Sequence, residues 1–135
     1  MSQASIDHLG IAVRSLADAL VFYQQALGLA AERPQEVPQE QVRLVMIPAG
    51  ESRIELLEAT SPQSPIARFI AKRGEGLHHV ALKVPNLEQA IERLRVSGAR
   101  LVTDQIQRGA GGHRYIFVHP GSAGGVLLEL MEESE

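Results

Sequence analysis

The sequence predicts an α+β fold built from two copies of one module, in which a strand and a helix are followed by two further strands. The stretch "IDHLGIAVRSLADAL" near the N-terminus recurs as "LHHVALKVPNLEQAI", and the alignment places His8 on His79. The last strands match too, because "RIELL" carries Glu55 where "LLELM" carries Glu129, at a slightly longer offset. Solenoid repeats have periods of about 20 to 50 residues. The longer spacing between these copies therefore indicates the duplication of one module.

In the first copy, alternating apolar positions over residues 6–13 predict a half-buried strand. Apolar residues at helical spacing follow, and Ser15 stands at the N-cap position of that helix. The stretches "EQVRLVMIPAG" and "SRIELLEA" predict two strands joined by a turn at "PAGE". Between the copies, "SPQSPIARFIAKRGEG" indicates a short helix that begins after Pro and Ser and ends in a glycine-bounded loop.

The second copy repeats this order. The stretch "HHVALKV" predicts a strand, "NLEQAIERLRVSG" predicts a helix with Asn86 as its N-cap, and "RYIFVHP" and "GVLLELME" predict two more strands. We expect two small, mostly antiparallel sheets, each with a helix packed on one face. The repeats span about residues 6–60 and 77–131 of a single domain formed by residues 1–135.

Composition limits the classes of protein to which the chain can belong. Its 135 residues are the size of one domain, and its lack of cysteine excludes disulfides and thiolate metal sites. Together with an N-terminus that lacks a signal-peptide pattern, this predicts a cytoplasmic protein. The net charge of −3 without a basic cluster argues against binding to nucleic acid or to an anionic membrane surface. Apolar runs are shorter than the ~18 residues that a membrane span needs.

The repeated positions supply matched polar residues, His8 and His79 on the first strands and Glu55 and Glu129 on the last ones. A carboxylate within an apolar strand needs a partner that offsets its desolvation, or it must face water. If the copies are related by a pseudo-two-fold axis, these side chains meet and can bind a divalent ion. The alternative is that the histidines are hydrogen-bonded structural residues and the glutamates lie on a solvent face.

The remaining histidines do not fit the repeat. His78 neighbours His79 and should point to the opposite face of its strand. His113 and His119 have no counterpart in the first copy. We interpret them as a loop residue and a strand-end residue.

The duplicated module resembles the vicinal oxygen chelate superfamily, to which glyoxalase I belongs. Longer stretches resemble the methylmalonyl-CoA epimerase family within it, namely "DHLGIAV", "IELLEATSPQSPIARFIAKRGEGLHHVAL", "GAGGHRYIFVHP" and "GGVLLEL". This resemblance covers nearly the whole chain and implies that the two βαββ modules form a glyoxalase-like sheet cleft. It also implies a homodimer that acts in propionate metabolism on an acyl-CoA thioester, by interconverting (2R)- and (2S)-methylmalonyl-CoA.

The resemblance implies a metal centre as well. Its ligands correspond here to His8, Glu55, His79 and Glu129, which would bind one divalent ion per site. Cobalt is the first expectation, with Zn²⁺, Mn²⁺, Ni²⁺ or Fe²⁺ as alternatives. The ion would act as a Lewis acid where removal of the C2 proton of the substrate makes an enolate.

Inversion at C2 needs a proton acceptor on one face and a donor on the other. The family often has a glutamate in "VPEQ", whereas this chain has "VPQEQ", with Gln39 at that position and Glu40 after it. Glu40 is therefore a candidate base if the segment is a loop, but in a strand it would point the wrong way. The alternative is that Glu40 is an exposed loop carboxylate. Glu36 is a weaker candidate. Glu129 is the candidate for the second acid/base group, in addition to its role as a ligand.

The loop "QRGAGGHRYI" is a further family landmark. Gly109, Gly111 and Gly112 allow positive φ and a close approach of backbone N–H groups to an anion. These glycines are candidates for binding the substrate carboxylate or thioester, and the alternative is a flexible hairpin loop.

Two other functions within the superfamily remain open on the sequence. One is a glyoxalase I-like metal-dependent isomerase, against which the phrase "SPIARFI" followed by "GEGLHH" argues. The other is a non-catalytic small-molecule binder, which would have little reason to keep two His and two Glu. With no Trp, three Phe and two Tyr, the chain also has few surfaces on which a flat ligand could stack.

Overall fold

This computed structural model describes residues 3–132 and shows the predicted order of elements. Within these residues the strands are β1 Ser5–Ala12, β2 Gln35–Val37, β3 Val42–Ala49, β4 Ser52–Ala59, β5 Gly76–Lys83, β6 Gln107–Arg108, β7 Arg114–Val118 and β8 Leu128–Glu132. The α-helices are α1 Leu16–Leu20, α2 Pro65–Arg73 and α3 Leu87–Ser97. Among the described residues, no helix has both the length and the apolar character to cross a membrane.

The short elements were not predicted from the sequence. They are β2, β6 and single turns of 3₁₀ helix at Pro38–Glu40, Ala110–Gly112 and Pro120–Ser122. Helix α1 also continues as a π-helix over Val21–Ala26 before Gly28, which has a positive φ of 79°. Elements of two or three residues carry too little periodicity to be detected in a sequence.

The two copies pair their strands in the same way. In the first copy the order is β2-β3-β4-β1, and in the second it is β6-β7-β8-β5. The pairs β3–β4 and β7–β8 are antiparallel hairpins, as predicted. The pairs β1–β4 and β5–β8 are parallel. Parallel strands need a crossover connection, and α1 and α3 lie within these connections.

The described residues divide into two compact units, one formed by His8–His78 and the other by residues 3–7 with residues 79–132. Their bounds lie close to the predicted repeats. The prediction that the repeats constitute one domain stays a prediction.

The core of each unit lies on defined faces of its strands. In the His8–His78 unit, Leu56 packs with residues of α1, while Leu57 packs with Ile66 of α2 on the other face. In the second unit, Leu130 packs with Leu87 of α3. Because strand residues alternate between faces, Glu55 and Glu129 lie on the faces opposite to α1 and α3. The candidate ligands therefore lie on the strand faces that α1 and α3 do not cover, and Glu55 shares its face with Leu57.

The two copies share an arrangement of polar groups that starts α1 and α3. Ser15 and Asn86 are N-caps, as predicted, and accept hydrogen bonds from the N–H groups of the first turn. In addition, the N–H of Leu16 donates to Glu58 at 3.2 Å, and the N–H of Leu87 donates to Glu132 at 3.0 Å. The carboxylate from the last strand of each copy thus satisfies an otherwise unpaired helix N–H.

Candidate metal and catalytic site

The first candidate pair is His8 with Glu55. Strand β1 runs parallel to β4 with Gly10 opposite Glu55, so the position beside this glutamate carries no side chain. His8 lies two residues earlier on the same face of β1. Its Nε2 atom is 3.4 Å from Oε1 of Glu55, and both residues are buried.

The second pair, His79 with Glu129, repeats this geometry. Strand β5 runs parallel to β8 with the small Ala81 opposite Glu129. Nε2 of His79 lies 3.4 Å from Oε1 of Glu129, and again both residues are buried. The rings of Phe117 and His79 pack edge to face, with centroids 5.9 Å apart.

The donor set fits a divalent ion. Each pair offers an imidazole nitrogen and a carboxylate oxygen, and the four residues are only 4%, 7%, 5% and 5% exposed in the order His8, Glu55, His79 and Glu129. A good N–H···O hydrogen bond is shorter, roughly 2.7 to 3.2 Å. Two ligand atoms that each lie about 2.1 Å from an ion are about 3.4 Å apart at the tetrahedral angle and about 3.0 Å apart at a right angle. Each pair is therefore spaced as two ligands of a shared ion would be.

His113 lies beside the second candidate pair, a position that the sequence analysis did not predict. His113 lies between the turn Ala110–Gly112 and β7, as expected of a loop residue, but its Nε2 atom lies 3.8 Å from Oε2 of Glu129. The repeat could not reveal it, because the alignment that places His8 on His79 places Val42 on His113. The available signal was its place next to the glycines of the landmark loop.

The other histidines lie where the sequence placed them. His78 is the neighbour of His79 but packs its ring against Phe69 of α2, with centroids 5.0 Å apart. His119 follows β7, and its Nδ1 accepts a hydrogen bond from the N–H of Gly121 at 2.9 Å. This bond caps the 3₁₀ turn Pro120–Ser122.

Glu40 lies in a 3₁₀ turn and not in a strand, which was the condition for its candidacy as a base. Its side chain is half-buried, whereas Gln39 is exposed. The turn ends at Gln41, whose backbone is left-handed with φ 56°, and the N–H of Gln41 donates to the carbonyl of Pro38 at 3.0 Å. The weaker candidate, Glu36, is exposed and forms an ion pair with Arg43 at 3.1 Å.

The glycine loop is held by its own hydrogen bonds. The N–H of Gly109 donates to the carbonyl of His113 at 2.9 Å, and the N–H of Gly112 donates to the carbonyl of Gly109 at 3.0 Å. Gly111 and Gly112 have positive φ angles of 80° and 83°, which explains why glycine is used there. Because two N–H groups already donate within the loop, a role of Gly109 and Gly112 in binding substrate through these groups stays a prediction.

A separate open cavity of about 420 Å³ lies beside α2 in the His8–His78 unit. It is lined by Val13, Arg14, Ala59, Ala67, Ile70 and Ala71. The sequence analysis did not name any of these residues as a site residue. The lining side chains are apolar except for that of Arg14.

Comparison with known proteins identifies the family. The pattern of the glyoxalase/bleomycin resistance protein/dioxygenase superfamily matches residues 7–117. The chain belongs to this superfamily. Among curated proteins it is 36% identical to the uncharacterized protein YqjC of Bacillus subtilis, over 94% of this chain and 91% of the relative. It is also 36% identical to the mitochondrial methylmalonyl-CoA epimerase of Bos taurus, over 93% of this chain and 72% of the relative.

Several solved structures share the fold along nearly the whole chain. A hypothetical protein from Bacillus halodurans is 43% identical, with a TM-score of 0.94 over 98% of this chain and 96% of that chain. The methylmalonyl-CoA epimerase of Mycobacterium tuberculosis is 36% identical, with a TM-score of 0.88 over 96% and 88%. An epimerase variant of Streptomyces coelicolor, solved with 2-nitronate-propionyl-CoA, is 32% identical, with a TM-score of 0.87 over 96% and 97%. The resemblance stated from the sequence and the predicted glyoxalase-like α+β fold are thus confirmed.

Proposed function

We propose that this superfamily member is a metal-dependent epimerase that interconverts (2R)- and (2S)-methylmalonyl-CoA. The observation that carries the proposal is the repeated His–Glu pair with its 3.4 Å spacing. It occurs in a chain whose relatives named methylmalonyl-CoA epimerase match over most of their length. Buried imidazoles and carboxylates are costly unless they are paired with each other or coordinate a metal ion.

His8, Glu55, His79 and Glu129 are the proposed ligands of one divalent ion. His8, His79 and Glu129 each offer a ligand atom from a buried side chain. Two nitrogen and two carboxylate oxygen donors suit cobalt first in this proposal, with zinc, manganese, nickel or iron as alternatives. When bound, the ion supplies Lewis-acid stabilisation of the negative charge that develops on the thioester oxygen as the C2 proton leaves.

Glu129 and Glu40 are the proposed acid/base groups. Inversion requires one group to remove the C2 proton and another to return a proton to the opposite face. Glu129 is suited to one of these roles because Oε1 faces His79 and its other oxygen, Oε2, does not. Glu40 is suited to the other because it lies in a short turn and is half-buried.

The remaining parts of the proposal concern the surroundings of the reaction. The acyl-CoA thioester contacts the loop of Gly109, Gly111 and Gly112 through its carboxylate or thioester group. The protein works as a cytoplasmic homodimer in propionate metabolism and binds neither nucleic acid nor membranes. Size-exclusion chromatography with light scattering tests the dimer directly.

The experiment that tests the activity follows the conversion of (2S)-methylmalonyl-CoA into the (2R) form by chiral separation. The apoprotein is prepared with EDTA and then loaded with Co²⁺. We expect conversion by the cobalt-loaded protein that EDTA abolishes. The variant Glu40→Gln should lose the activity, whereas Gln39→Ala, the matched neighbour in the same turn, should retain it.

Absence of conversion by folded, cobalt-loaded protein would contradict the epimerase. A glutathione hemithioacetal would then be the next substrate to test, because a glyoxalase I-like isomerase also moves a proton beside a carbonyl group. Retention of activity by Glu40→Gln, with loss in Gln39→Ala, would contradict only the assignment of the base.

A further inference from the structure

The carboxylate of Glu129 has an imidazole beside each of its oxygens. Oε1 lies 3.4 Å from Nε2 of His79, and Oε2 lies 3.8 Å from Nε2 of His113. A row of aromatic rings connects these imidazoles along β7. The ring of Phe117 is 5.9 Å from His79 and 5.7 Å from Tyr115, and the ring of Tyr115 is 5.5 Å from His113.

The first copy does not repeat this row of rings. The positions that align with His113, Tyr115 and Phe117 in the first copy are Val42, Leu44 and Met46. The register confirms the match, since Met46 pairs with Glu55 as Phe117 pairs with Glu129. The duplicated frame is thus shared by both glutamates, but the first copy has a valine at the position that aligns with His113.

Gly109 provides the space that His113 occupies. A Cβ atom at residue 109 would lie 2.5 Å from Cε1 and 2.8 Å from Nε2 of His113, which is far too close. The backbone of Gly109 has φ −100°, a conformation that alanine also adopts. Glycine is therefore used at this position for the room it leaves and not for its φ angle.

We propose that His113 is a positioning residue that holds Oε2 of Glu129, and that Gly109 is required because it admits the His113 ring. This inference rests on the proposed function of Glu129 as metal ligand and acid/base group. Oε1 lies beside His79 and Oε2 beside His113, so His113 fixes the rotation of the carboxylate and thereby directs Oε2. A displacement of about 1 Å in a reacting group is enough to lower a rate a hundredfold.

A double-mutant cycle between Gly109 and His113 tests the proposal. His113→Ala removes the ring, and Gly109→Ala pushes it away while the backbone stays permissible. Each should lower kcat of the cobalt-loaded protein by on the order of tenfold or more, and His113→Ala should change KM by less than about twofold. In the double variant the losses should not multiply, because both changes remove the same contact.

A second readout does not depend on activity. The visible absorption spectrum of the bound Co²⁺ reports ligand geometry and should change in His113→Ala and in Gly109→Ala. His113→Gln, which keeps a donor, should recover part of kcat and of the wild-type spectrum. His119→Ala is the matched control, because it removes an imidazole of the same unit that accepts a hydrogen bond from the N–H of Gly121. It should leave both readouts unchanged.

Independent, multiplicative losses in the cycle, or a wild-type cobalt spectrum and kcat in His113→Ala, would overturn the proposal. If the wild-type protein binds cobalt but does not epimerise methylmalonyl-CoA, the proposed function fails. The role of His113 is then judged by the spectra of the variants alone, so the two failures are distinguishable.

Discussion

Nε2 of His79 lies 3.4 Å from Oε1 of Glu129, the same separation that joins His8 to Glu55. The equality follows from the duplicated pairing of strands, since β1 runs parallel to β4 as β5 does to β8. In both copies a residue with a small or absent side chain, Gly10 or Ala81, lies opposite the glutamate. The same local geometry thus produces the candidate ligand pair twice.

Removal of a proposed ligand should weaken metal binding. We expect His79→Ala to reduce the affinity for Co²⁺ by more than about a hundredfold, because changes to residues that only support ligands already cost about 10- to 100-fold. Isothermal titration of the apoprotein measures the affinity. His78→Ala is the control, because this neighbour packs on Phe69. Equal affinities of the two variants would contradict the assignment of His79.

The carboxylates at the starts of α1 and α3 should stabilise the fold. Glu132 accepts from the N–H of Leu87 and is also paired with Arg114 at 2.7 Å. We expect Glu132→Ala to lower the free energy of unfolding by about 1 to 2 kcal/mol, the usual cost of losing a helix cap. Urea unfolding measures this free energy, and Glu92→Ala, at an exposed position of α3, is the control. Equal stability of Glu132→Ala and wild type would refute the capping role.

The leucines that begin α1 and α3 should be equivalent core residues. Leu16 is 5% exposed and Leu87 is 0% exposed, and they occupy matching positions of the repeat. We expect each change to alanine to cost about 2 to 5 kcal/mol of unfolding free energy, as for other buried leucines. Val96→Ala, at an exposed position of α3, should cost less than about 0.5 kcal/mol. A cost near zero for Leu87→Ala would contradict the packing described.

Stability should depend on pH through Glu88. The hydrogen bond from the Arg114 guanidinium holds the pKa of Glu88 below its ordinary value of 4.5. A carboxyl group whose pKa is lower in the folded protein stabilises the fold at a pH above its pKa in the unfolded chain. This stabilisation is lost as the pH falls through its pKa in the folded protein. The free energy of unfolding of Glu88→Gln should therefore fall less than that of the wild type when the pH is lowered below 4.5.

The effect of Glu88 should be small, because the pair is exposed to solvent. Thermal unfolding of both proteins at neutral pH and at about pH 3 measures the difference. High salt should shrink this difference, since it screens exposed charges. A steeper loss of stability on acidification in Glu88→Gln than in wild type would contradict the sign.

Much of the fold was predictable because the repeat constrains it twice. The period-two pattern identified the long strands, and the position of His8 selected His79 over His78. The parallel pairing of β1 with β4 was not predicted, because strand patterns carry no information on direction. His113 was missed for a related reason. The aligned residue of the first copy is Val42, and the contact of His113 with Glu129 brings together residues of a loop and of β8 that no sequence pattern links.

The central claim is that the protein removes the C2 proton of methylmalonyl-CoA with the help of a metal. Proton NMR of this substrate in D₂O tests it most directly, with cobalt-loaded protein and again with excess EDTA. We predict a loss of the C2 proton signal far above the uncatalysed exchange, which EDTA suppresses. A C2 signal that persists at the uncatalysed rate with folded, cobalt-loaded protein would contradict the claim.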